Sequence, residues 1–168
     1  MRHRGPTLTA ANLPVESVWD YPRPPRLEPT SARIRVLHCG VTLANSTRAF
    51  RVLETSHPPV YYIPQADIRM QHLQLSPRRP SFCEFKGLAT YWTIHIGKSI
   101  SHDAAWSYPS PGPAFTPLAD HLAFYANHVD QCFVDDELVI PQPGDFYGGW
   151  ITSNLRGPFK GAPGTLGW

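Results

Sequence analysis

The sequence predicts a mostly-β domain with an extended N-terminal strap and a Gly/Pro/aromatic C-terminal tail. Three observations predict it. The chain carries 19 prolines and 12 glycines among 168 residues, and proline breaks helices by removing an amide donor and clashing with the preceding turn. Several short runs alternate apolar and polar residues at period two, the pattern of half-buried strands. The length fits one domain that needs no disulfide or metal staple.

Residues 1 to about 17 are polar and aperiodic and read as a loose tail. Val18 to Arg26 is dense in proline, which favours an extended strap that Trp19 and Tyr21 would pin to the domain. Ile34 and Val36 alternate with Arg33 and Arg35 in a first strand. Cys39-Gly40 reads as a turn, Val41 to Ala44 as a second strand, and Asn45-Ser46 as another turn. A third strand spans Arg48 to Leu53, and Val60 to Ile63 is β-branched and aromatic. Pro64 to Asp67 suits one short helical turn, Met70 to Leu75 is ambiguous between strand and helix, and Ser76 to Ser81 is a loop. Ala89 to Ile96 is the clearest strand, with Trp92, Ile94 and Ile96 on one face and Tyr91, Thr93 and His95 on the other. Ala104 to Tyr108, Leu122 to Tyr125 and Cys132 to Val134 follow, and Asp135-Asp136 turns the chain into Leu138 to Ile140. From Pro141 the large aromatics Phe146, Tyr147, Trp150, Phe159 and Trp168 accompany Gly and Pro, and this tail is expected to wrap over the domain or to contact a partner.

Composition excludes several functions. The net charge is +2 with no basic stripe, which argues against broad nucleic-acid binding. No run approaches a membrane span, and the basic start has no apolar stretch behind it, so a secretory signal is not expected. The 3 cysteines, Cys39, Cys83 and Cys132, include no C-x-x-C pair, which disfavours a disulfide framework and points to a reducing, cytoplasmic setting. His95, His102, His121 and His128 are scattered, so no metal site is expected. Neither phosphate-loop nor dinucleotide fingerprint is present, and no cofactor is expected.

Three clusters carry chemistry. Arg48, Arg51, Glu54, His57, Tyr61 and Tyr62 surround the end of one strand and the start of the next, a set suited to an anionic ligand; alternatively Arg48 and Glu54 form an ordinary ion pair and His57 caps a turn. Cys83 stands three residues before Lys86 in a loop entering a strand, where an ammonium would favour a thiolate nucleophile, or it is a buried filler. Gly87 suits a positive φ. Tyr91, Trp92, Trp106 and Tyr108 lie on two strands expected to pair, and make either pocket walls or plain core.

These residues also resemble a known family. The run Arg48 to Pro64 (RAFRVLETSHPPVYYIP), Cys83 to Gly87 with Tyr91-Trp92, Ala104 to Pro109 (AAWSYP) and Leu122 to Tyr125 (LAFY) are similar to domain-of-unknown-function family 427, over about residues 33 to 140. The resemblance implies a compact antiparallel two-sheet fold of the β-tent class, which includes methionine sulfoxide reductase B and the cereblon drug-binding domain, with an aromatic pocket between sheets. The zinc cysteines of several such relatives are missing, so zinc is not carried over. Where the family typically reads Cys-Pro this chain has Cys83-Glu84, and the loop is expected to sit differently. The family's alternative label mentions nucleotidyl transfer, for which the sequence offers no acidic metal pair or phosphate loop.

The expected organisation is a tail and strap over residues 1–32, a β domain over 33–140 and an extension over 141–168. The expected function is binding of a small polar or anionic molecule. Arg48, Tyr62, Lys86, Tyr91, Trp106 and Tyr108 would line the site, and Glu54, His57 or Cys83 would supply chemistry if a reaction occurs. The alternatives are an interaction module, docking a partner or a second copy through the tail, and a thiol redox enzyme using Cys83.

Overall fold

The computed structural model describes residues 13–144 and 146–168. The loose tail expected over residues 1 to about 17 lies mostly outside the described residues. Its last part is not loose, because Glu16–Ser17 pairs in parallel with Leu155–Arg156 of the C-terminal tail.

The protein is mostly β. An eight-stranded sheet runs in the order Arg26–Pro29, Phe50–Leu53, Val60–Pro64, His121–Phe124, Ser99–Ser107, Gly87–Ile96 and Leu73–Leu75, with Ser81–Cys83 also paired to Gly87–Ile96. A four-stranded sheet is formed by Glu137–Leu138, Gln131–Val134, Ile34–His38 and Val41–Ser46. Every pairing within these two sheets is antiparallel. Successive strand residues point to opposite faces, and register makes neighbouring strands agree. Trp106 lies opposite both Tyr91 and Ala123, while Ala105 lies opposite Trp92 and Phe124. One face of the large sheet therefore presents Ile63, Ile94, Leu122 and Phe124, which pack with Ile34, Val36, Leu43 and Val134 of the small sheet. The other presents Val52, Tyr62, Tyr91, Trp106, Tyr108 and Ala123 as a second apolar cluster.

Several elements fall where the sequence places them. Cys39-Gly40 turns with φ of 48° and 76°, and Asp135 has φ of 51° in the hairpin between Gln131–Val134 and Glu137–Leu138. Gln65–Asp67 is a helical turn, and the ambiguous segment resolves into both forms, a turn at Met70–His72 followed by the strand Leu73–Leu75. Asn45-Ser46 is a correction: both residues continue the strand Val41–Ser46, because Ser46 is buried and its hydroxyl donates to Asp67 at 2.7 Å. The strand expected from Ala104 begins at Ser99, interrupted by a register shift between Ser101 and Ala105 with Asp103 at φ 50°. That bulge buries both Ala104 and Ala105, which breaks the alternation that would mark a strand. The strap is not extended throughout: Val18–Asp20 is a helical turn, and Arg26–Pro29 joins the sheet edge.

The tail covers the second cluster, and the strap packs beside it in a small cluster of its own, Val18 and Tyr21 with Leu53 and Phe159. Trp150 of the tail is buried in the main core, its indole N–H donating to the Phe124 carbonyl at 2.9 Å. Trp19 of the strap donates to the Pro158 carbonyl of the tail at 2.8 Å. Arg51 fixes the strap electrostatically. It lies opposite Glu28 across the strand pair and bonds that carboxylate, while two further nitrogens reach Glu16 at 3.1 and 3.2 Å. Burial alone would disfavour the guanidinium charge, but the bonds to Glu16 and Glu28 outweigh it and raise its pKa. Tyr21 adds a 2.6 Å bond to Glu16.

Replacing Arg51 with Ala leaves two part-buried carboxylates facing each other without a counter-charge. We expect the unfolding free energy in urea to fall by about 3 kcal/mol. An unchanged midpoint would show that Val18, Tyr21 and Leu53 hold the strap by apolar contact alone.

Candidate functional site

The second face of the large sheet is not filled by its cover. A cavity of about 290 Å³ remains, at the lower end of small-molecule sites. Its floor comes from strand positions two apart: Val52, Val60 and Tyr62, Ala89 and Tyr91, Trp106 and Tyr108. The hairpin turn Glu84 to Lys86, between Ser81–Cys83 and Gly87–Ile96, supplies one wall with Cys83 and Lys86. Gly87 has φ of 99°, and a Cβ there would approach Ser110 O to 3.3 Å, so the turn needs glycine. The tail supplies the roof with Gln142, Phe146, Tyr147, Gly148 and Lys160. Gly148 lies flat on the indole of Trp106: a Cβ there would stand 2.2 Å from Cη2.

The rings are held by their polar ends. Trp106 Nε1 donates to Tyr62 Oη at 3.2 Å, and Tyr91 Oη donates to Ser81 Oγ at 2.7 Å. Burial pushes the Tyr62 and Tyr108 phenols well above their ordinary range and Tyr125 up to about 12, so these rings stay neutral donors. Lys86 Nζ lies 5.8 Å from the centre of the Tyr108 ring and Lys160 Nζ 5.4 Å from that of Tyr147, within cation–π range.

The polar end of the cavity is the turn from Glu54 to His57. Ser56, at φ 72°, bonds the strap through its N–H to Val18 O at 3.0 Å and receives the tail through Lys160 N–H at 2.9 Å. His57 is buried against Tyr147, ring centres 4.7 Å apart. Its Nδ1 lies 3.0 Å from Gln142 Nε2, and its Nε2 lies 3.8 Å from Glu54. Burial, then the charges of Lys160, Arg23 and Lys86, push the imidazole down to about 4. His57 and Glu54 are therefore not an ion pair at neutral pH. Glu54 is matched instead by Arg23 at 3.5 Å.

The structure brings Glu54, His57, Tyr62, Cys83, Lys86, Tyr91, Trp106 and Tyr108 to this one cavity. Arg48 is the correction. It does not line the cavity: the strand expected from Arg48 begins only at Phe50, and Arg48, just before it, is exposed and paired with Asp67 at 2.8 Å; neither Arg48 nor Glu54 takes the other as partner. Sequence reasoning missed Gln142, Tyr147 and Lys160. The tail's density of aromatics was a signal that it covers something, but nothing in its aperiodic pattern says which residues face inward. Among the described residues, His38, Cys39 and Asp130 have ligand-type atoms within 4.8 Å of one another. Their groups are engaged already: Cys39 N–H donates to Asp130 Oδ2 at 2.8 Å, and Asp130 N–H donates to His38 Nδ1 at 3.1 Å.

With this geometry in view, residues 26–135 match a family model described as Domain of unknown function (DUF427), well over half of the chain. The match covers the cavity floor and the Cys83–Lys86 wall but ends before the roof. No curated protein matches the chain.

Two outcomes test the site's construction. Gly148→Ala drives a methyl into the Trp106 ring and is expected to cost about 1–3 kcal/mol of stability and to displace the roof; amide exchange at residues 146–150 reads the displacement, and an unaltered rate would show slack in the packing. His57 has a lowered folded pKa, so its stability contribution is present in full above about 6.5 and drains as pH falls toward about 4. His57→Gln should therefore flatten the pH dependence of unfolding in that window by up to about 3 kcal/mol. A slope unchanged by the substitution would place the titration elsewhere.

Proposed function

The chain belongs to the DUF427 family, and from the site within that domain we propose that it binds a small polar or anionic molecule in the aromatic-walled cavity. The observation that carries this reading is an unfilled cavity of about 290 Å³ between an aromatic floor and a cationic rim. A protein that needed only a core would close such a space, since interiors pack to near-crystal density. The ring-lined body supplies apolar contact for a flat ligand and the two lysines supply charge, the composition of small-molecule sites in general. Phe82 and Phe146 stand at the rim, 75% and 71% exposed, as side chains that a ligand or partner would cover. The three free thiols Cys39, Cys83 and Cys132 support a reducing, cytoplasmic setting. Among the described residues no helix is long and apolar enough to cross a membrane.

A second reading rests on the same exposed residues. Phe146 and Leu166 of the tail, the latter 87% exposed, favour docking of a protein surface or a second copy. The two readings separate experimentally. Calorimetric titration with small acids is expected to give saturable binding that Trp106→Leu weakens about tenfold and Lys86→Met also weakens, while Leu166→Ser, outside the cavity lining, leaves it intact. Sedimentation that shows self-association lost in the Leu166→Ser variant, with no acid bound by the wild type, would instead favour the interaction reading.

A further inference from the structure

Gln142 and His57 together fix which way a proton points inside the cavity. The side-chain amide of Gln142 has one workable orientation. Gly149 N–H donates to its Oε1 at 2.9 Å, and its Nε2 donates to the Lys160 carbonyl at 2.8 Å. Turned over, the amide would set N–H against N–H and oxygen against oxygen. The second hydrogen on Nε2 then faces His57 Nδ1 at 3.0 Å. An amide N–H only donates, so Nδ1 must accept. A neutral imidazole that accepts at Nδ1 carries its proton on Nε2.

That Nε2–H has no hydrogen-bond partner among the described residues. Glu54 Oε2, at 3.8 Å, is beyond hydrogen-bond reach. The charges around the ring favour an anion there. Glu54 is offset by Arg23 at 3.5 Å, and Lys86 has no carboxylate within ion-pair distance among the described residues. Burial first, then the charges of Lys160, Arg23 and Lys86, hold the imidazole in its neutral form, and both lysines line the cavity that the ring faces.

We infer, resting on the ligand-binding reading of the cavity and deepening it, that His57 Nε2–H donates to an oxyanion of the bound molecule. Lys86, which lines the same cavity, supplies the cation beside that oxyanion, Lys160 Nζ being engaged by Trp168 O at 3.3 Å, and Gln142 is the positioning residue that keeps His57 a donor. The class of ligand is a small flat ring carrying one carboxylate or phosphate-ester group, its ring against Tyr62, Trp106 and Tyr108 and its charged end at His57. His57 is then no general base, because its only lone pair is held by Gln142; a reaction that removes a proton here would use Glu54.

The test uses the full chain with ¹⁵N-labelled histidine and four probes: benzoate, phenyl phosphate, benzamide and benzylamine. Near neutral pH the His57 ring nitrogens should report a protonated Nε2 and an unprotonated Nδ1, a readout that needs no variant. Benzoate or phenyl phosphate should shift the Nε2 resonance and bind more tightly than benzamide and benzylamine, and the better of the two anions identifies the group. Gln142→Leu frees Nδ1, so the Nδ1–H form should appear and affinity for the anionic probe should fall at least about tenfold. A wild-type proton on Nδ1, or a preference for benzylamine over benzoate, overturns this inference while leaving a ligand pocket. No binding of any ring probe at millimolar concentration overturns the pocket reading itself, and this inference with it.

Discussion

The eight-stranded sheet is apolar on both faces, and neither face can be left to water. Burial is worth roughly 25 cal/mol per Å² of apolar surface, so each aromatic floor residue left uncovered would forfeit a few kcal/mol. The first face is closed by a partner built for it, the four-stranded sheet, whose strands alternate in step with the large sheet's own. The second face is covered by irregular chain, the C-terminal tail and the mid-chain segment that carries Phe115 and Leu118. Irregular chain cannot tile a pleated surface as another sheet would. The cavity is what this second closure leaves unfilled.

That difference explains what could be read from sequence. The alternation Tyr91/Trp92/Thr93/Ile94 separates the faces of one strand without any coordinates, and the observed faces follow it: Tyr91 belongs to the cavity cluster, while Ile94, with Trp92 packed against it, belongs to the main core. The turn at Cys39-Gly40 and the hairpin at Asp135-Asp136 were legible because those positions need left-handed backbone, which glycine and aspartate tolerate. The strand Arg26–Pro29 was not legible, because Pro29 and the prolines just before the strand suit an edge as well as a strap, and its partner lies outside the strap. Ser99 to Asp103 was hidden by the bulge, which spoils the period that marks a strand.

The site was partly legible for the same reason. Glu54, His57, Tyr62, Lys86, Tyr91, Trp106 and Tyr108 sit on or beside regular strands, so strand pairing alone brings them together. Arg48 misled because it lies among the same polar residues but meets Asp67 of the helical turn Gln65–Asp67, a contact that spacing does not encode. Gln142 and Lys160 stayed hidden because their meaning depends on backbone groups, the Gly149 N–H and the Lys160 carbonyl itself, which carry no sequence signature.

The parallel ladder between Glu16–Ser17 and Leu155–Arg156 joins segments almost the whole chain apart, and both of them lie outside the stretch matched by the family model. Its two residues on each side make it a small clasp, backed by Trp19 on Pro158 and by the Arg51 bridge to Glu16. The roof itself has nearer anchors, Trp150 N–H on Pro59 O at 2.8 Å and Lys160 N–H on Ser56 O at 2.9 Å. The clasp ties the two ends of the described chain to each other, so that fraying of either one loosens the other.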